Sequence, residues 1–106
     1  PKDNMRRMSA LVDRAVPLFE RALAINPRLM PAYTGLIDVA MLDSRSALEA
    51  STARAAERID PGCPELANVR MRALTPRWGG SYEEMLGYAA QLSKHVPHRP
   101  YLAVHL

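Results

Sequence analysis

Ala24-Ile25-Asn26-Pro27, Arg58-Ile59-Asp60-Pro61 and Lys94-His95-Val96-Pro97 are the stretches whose reading decides the fold. Each closes a run of periodically spaced apolar residues with a proline, at intervals of 34 and then 36 residues. A second proline follows each one, at Pro31, Pro64 and Pro100. Proline suits the first helical position, because the N–H it lacks has no partner there. The pattern predicts helices that stop at one proline and restart at the next. Self-similarity at this period indicates an all-α chain of stacked antiparallel helical hairpins, a short α-solenoid, and points to binding rather than chemistry.

Working outward, Met5, Met8, Val12, Ala15, Phe19 and Ala22 form one stripe, widened by Leu11, Leu18 and Leu23, as an amphipathic helix requires. Pro17 interrupts that run and predicts a kink, or a fresh start capped by Asp13. The basic Arg6 and Arg7 would also suit an anionic membrane, but Asp13 and Glu20 share their face, which favours a core-facing helix with a solvated side. The next helix is expected from Ala32 to about Leu42, with Tyr33, Leu36, Ile37 and Ala40 inward. Ser46-Ala47-Leu48-Glu49 reads as a capping box opening a helix to about Ile59. Its alanines, Ala53 and Ala56 among them, predict the tightly packed middle helix. Pro64 opens a shorter helix with Leu66, Val69 and Ala73 inward, ended by Thr75-Pro76. Ser81-Tyr82-Glu83-Glu84 is a second capping box, and Met85, Ala89, Leu92 and Val96 give the stripe that follows. Pro100-Tyr101-Leu102 begins a last helix. No alternating strand pattern occurs.

The chain has 106 residues, enough for one domain over 1–106, with 48% hydrophobic and 24% charged residues, the balance of a folded protein rather than a disordered one. The net charge of +3 permits an acidic partner without requiring one. A single cysteine, Cys63, rules out an internal disulfide, and the cytoplasm is the favoured compartment. No apolar run approaches the roughly 18 residues of a membrane span. The chain begins Pro1-Lys2-Asp3 and stops shortly after Pro100, so both ends read as cut from a longer protein. That leaves a signal peptide open and makes self-association through the C-terminal end conceivable.

The residues Ala15, Phe19, Ala22 and Pro27, followed by Tyr33 and Leu36, resemble the junction of two tetratricopeptide repeats, a helix–turn–helix family of 34-residue period. The second junction departs from the family pattern: Ala53, Ala56 and Pro61 are in phase, but Ala53 replaces the aromatic and Glu49 the small residue. At the third only Pro97 is clear. Leu74 to Met85 is also similar to a segment of an uncharacterised bacterial domain-of-unknown-function family, in which a helical pair precedes an Arg-Trp-Gly-Gly-Ser turn. That family supplies no activity to transfer.

The resemblance implies a protein–protein interaction module that binds a peptide or protein, with contact positions at Thr34, Asp38, Met41, Ala67 and Met71, to which the turn adds Arg77 and Trp78. Two glycines before a capped helix would suit an anion, with Arg77 supplying charge and Trp78 a stacking face. The structural alternative is that the glycines shape the turn, Ser81 caps the helix and Trp78 plugs the core. No Lys-Ser/Thr follows the glycines, so this is no phosphate loop. His95, His98, His105 and Cys63 match no metal-site spacing, and nothing sets a serine or Cys63 against a histidine as a catalytic pair. No cofactor, metal or catalytic residue is expected. Arg70, Arg72 and Arg77 suggest a basic patch, but on a helix Arg70 and Arg72 point about 200° apart, and no nucleic-acid partner is expected. The competing reading is the helical accessory part of an enzyme whose catalytic region lies elsewhere.

Overall fold

Asn26 and Pro27 make the first of the prolines' stops visible. The computed structural model describes residues 2–106; Pro1, part of the reading of the N-terminal end, lies outside them. Helix α1 (Lys2–Ile25) ends where the Asn26 carboxamide oxygen accepts the Arg28 amide at 3.1 Å and the Pro27 carbonyl accepts the Tyr33 hydroxyl at 2.6 Å. Four further α-helices follow: α2 (Met30–Leu42), α3 (Ser46–Ile59), α4 (Pro64–Ala73) and α5 (Tyr82–Ser93). Two 3-10 turns, Pro76–Trp78 and Pro100–His105, complete the chain, and no strand occurs among the described residues. Pro31, Pro64 and Pro100 all stand in the first turn of their elements, as the missing N–H dictates.

Several boundaries differ from expectation. Pro17 lies inside α1, which runs through it without a new start, so Asp13 caps nothing. The inward row of α1 is Val12, Val16, Phe19 and Leu23. Met5 and Met8 are 72% and 39% exposed, and Leu11 and Leu18 also face solvent. Leu11 and Leu18 lie on the face turned away from α2, while Met5 precedes the stretch that α2 covers, for α1 has 24 residues and α2 has 13. At 1.5 Å per residue, α1 overhangs its neighbour by more than about 15 Å.

The middle element is α2 rather than the alanine-rich α3, for α2 packs against α1, α3 and α4. Ile37 and Ala40 are wholly buried on it. Ala53 and Ala56 of α3 meet Tyr33, Ile37, Leu66 and Val69 in one cluster. A second cluster joins Ala67, Tyr88, Leu92 and Leu102 at the other end. Tyr88 was missing from the expected α5 stripe, which Leu92 alone satisfies in full.

The α2–α3 turn is set from the α2 side. Ser44 takes a left-handed conformation at φ 53°; its N–H bonds the Met41 carbonyl at 3.2 Å, and the Arg45 N–H bonds the Ala40 carbonyl at 2.8 Å. Those two bonds are a Schellman ending. It leaves Arg45 at the N-cap and Ser46 already helical, with no side-chain cap, so the expected Ser46/Glu49 box does not form. The Arg45 guanidinium instead joins Asp13 of α1 to Asp43. Ser81 does cap α5, its hydroxyl accepting the Glu84 amide at 3.1 Å.

The last segment is a 3-10 turn and not the opening of an α-helix. Six residues in that form hold few internal bonds. Burial holds it: Leu102 has no exposed surface, which is worth about 2 kcal/mol. The molecule measures 46 × 34 × 19 Å, about two helix diameters thick.

Candidate binding surface

The helices α2 and α4 lie side by side and run in the same direction. Three points along them show it. Near their starts, Thr34 and Glu65 border one cavity of about 290 Å³ with Met30 and Pro31. Farther along, the Arg72 guanidinium in the last turn of α4 donates to Asp38 of α2 at 3.3 Å across a 34-residue interval. At the far end, Met41 in the last turn of α2 borders a cavity of about 340 Å³ with Arg77 and Trp78, which follow α4.

These points locate the residues singled out from sequence. Thr34 is partly exposed, its hydroxyl returned to the Pro31 carbonyl at 3.1 Å, and Asp38 is half-exposed in its ion pair. Met41 is 5% exposed and Ala67 0%, so neither presents a surface that a partner can reach; their side chains fill the space between helices instead. Met71 belongs elsewhere. It borders a cavity of about 460 Å³ with Tyr82, Met85, Leu86 and the C-terminal residues. Arg77 is exposed and Trp78 half-buried, with the guanidinium carbon 5.5 Å from the tryptophan ring centre.

The glycine turn does not offer its amides to an anion. The Gly79 N–H bonds the Pro76 carbonyl and the Gly80 N–H bonds the Thr75 carbonyl, both at 3.1 Å. Gly79 has φ 91°, and a Cβ on Gly80 would stand 2.0 Å from the Leu74 carbonyl oxygen. Both glycines serve the turn, as the structural alternative expects.

Arg70 and Arg72 do point apart. Arg72 reaches Asp38 on α2, while Arg70 turns to Glu57 of α3 at 3.6 Å and lies over the Tyr88 ring at 5.6 Å. Around Arg70, burial pushes the Glu49 carboxyl above its usual range. Burial, reinforced by the Glu57 charge, pushes the Tyr88 phenol up to about 12. The Tyr88 hydroxyl has no hydrogen-bond partner. Cys63 is buried, its thiol donating to Glu65 at 3.0 Å; burial raises its pKa, and that hydrogen bond lowers the pKa of Glu65. Among the described residues, no three of His, Cys, Asp and Glu gather as metal ligands would.

Sequence reading missed Arg72, Glu65, Ser44 and Glu49 as members of the surface. The 34-residue interval between Asp38 and Arg72 was a usable signal, for equivalent helices one repeat apart must be neighbours if the repeats stack. Along α2, the accessible Thr34 and Asp38 lie about 6 Å apart, room for about two residues of extended chain. Acidic Asp38, Glu49 and Glu65 share the lining with Arg72 and Arg77, so it suits a polar segment of mixed charge better than a simple anion. No helix among the described residues is long and apolar enough to cross a membrane. Compared with known proteins, the chain matches no family model, no curated protein and no solved structure.

Proposed function

We propose that the chain is a tetratricopeptide-like helical-repeat module that recognises a protein through a short extended segment laid along α2 and α4. The observation carrying this reading is the Asp38–Arg72 pair, which links like-directed helices exactly one 34-residue repeat apart. Adjacent first helices are how stacked hairpins build a continuous surface, and the surface here is fixed in advance by buried Ile37 and Leu66, which pack together beneath it. A rigid platform spends little ordering entropy of its own on binding. The contact is small, well below the roughly 1,000 Å² of a stable interface, so recognition through it alone is weak and transient. Arg77 and Trp78 extend the surface at one end, and Thr34 with Glu65 closes the other.

The test is a pull-down from lysate with the chain and with a Thr34→Tyr/Asp38→Arg/Trp78→Ala variant, each checked for folding by circular dichroism. A partner held by the parent chain and lost from the variant supports the surface. A folded variant that keeps every partner removes it.

A further inference from the structure

Helix α1 carries a second apolar row outside the core. Met8, Leu11, Ala15, Leu18, Ala22 and Ile25 recur at alternating intervals of three and four residues, the spacing that presents a continuous seam to another helix. They are distinct from Val12, Val16, Phe19 and Leu23, which face α2. Leu11, Leu18 and Ile25 are 59%, 66% and 80% exposed, and the alanines between them let a partner backbone come close. Beside the seam, Arg7, Arg14 and Arg21 repeat every seven residues, all exposed. Asp13 and Glu20 stand on the opposite flank of the helix. Arg7, Ala10, Leu11 and Arg14 border a surface depression of about 290 Å³. Those four stand at i, i+3, i+4 and i+7, the diamond that receives one side chain of a packed helix.

We propose that this face binds an amphipathic helix that is none of α1–α5, with aliphatic residues along its seam and Asp or Glu at seven-residue spacing beside them. Charge selects that occupant over a second copy of the chain. In an antiparallel self-pair the two arginine rows would face each other. In a parallel one, each row would face the positions of Val12 and Phe19, which carry no charge and are turned to their own core. A row of carboxylates opposes the arginines in either direction. A membrane surface fits less well, because a helix lying in one carries cations along both borders of its apolar face, whereas here one border is the protein's own core. This site is separate from the α2–α4 surface, and neither depends on the other.

Titration of the chain, by fluorescence anisotropy, with two synthetic three-heptad helical peptides tests it. Both carry leucine and alanine along the seam, one with glutamate and one with lysine at the flanking positions. The glutamate peptide is expected to bind about tenfold tighter, the yield of three exposed ion pairs, and to lose that advantage in about 1 M salt. Arg7→Glu/Arg14→Glu/Arg21→Glu should reverse the preference. Leu11→Asp/Leu18→Asp should abolish binding of either peptide with an unchanged thermal melt, since both leucines are exposed. Equal affinity for the two peptides, or binding of neither, overturns the proposal. So does a concentration-dependent dimer in sedimentation that excludes the peptide, or capture by phosphatidylserine vesicles of a chain that ignores both peptides.

Discussion

Arg99 grips Asp60 across 39 residues, its guanidinium donating to both carboxylate oxygens at 3.2 and 3.0 Å while a second nitrogen donates to the Gly62 carbonyl at 3.1 Å. The second and third of the proline-marked turns are thereby fastened together, for the His95 ring also lies against Gly62. The pair is partly exposed, at 41% and 35%, so water screens it. Arg99→Ala should cost about 1 kcal/mol in chemical denaturation, with Arg99→Lys recovering little because the fork geometry is lost. Hydrogen exchange should quicken first at Leu102 and its neighbours.

Ser44 holds a conformation that a side chain resists. Ser44→Gly keeps both bonds of the Schellman ending and removes the strain, so the midpoint of unfolding should rise, by about 0.5 to 1 kcal/mol. An unchanged or lower midpoint would show that the serine is not strained there.

Ala53 and Ala56 are 1% and 0% exposed between α3 and its neighbours. Ala53→Leu and Ala56→Leu should each destabilise by about 1 to 3 kcal/mol through overpacking, measured in the same denaturation series. Ala47→Leu on the exposed side of α3 is the control and should be near neutral.

Tyr88 ties stability to alkaline pH. Its folded pKa is raised to about 12 from an ordinary 10, so its contribution is complete below pH 10 and is lost as pH rises toward 12, where the unfolded chain ionises first. Tyr88→Phe should flatten that part of the stability profile. At neutral pH the same change removes a buried hydroxyl that bonds nothing, and should be neutral or stabilising by about 1 kcal/mol. A clear loss of stability at pH 7 would mean that the hydroxyl has a partner in solution.

Sequence by itself determined what is local. Prolines at 27, 31, 61 and 64 placed the ends of α1, α2, α3 and α4, because a missing N–H and a locked φ act within one turn of the chain. Tyr33, Leu36, Ile37 and Ala40 of α2 and Leu66, Val69 and Ala73 of α4 followed from period, and the Ser81 cap from its local motif. The Ser46/Glu49 box was equally legible and did not form, since the preceding helix's ending claimed the turn first. Tertiary structure decided what depends on which helices meet. It buried Met41 and Ala67, put α2 at the centre, joined Asp38 to Arg72 and Arg99 to Asp60, and left half of α1 without a neighbour. Periodicity marks which faces of a helix are apolar, but both apolar rows of α1 read alike until packing shows that only Val12, Val16, Phe19 and Leu23 have something to lie against.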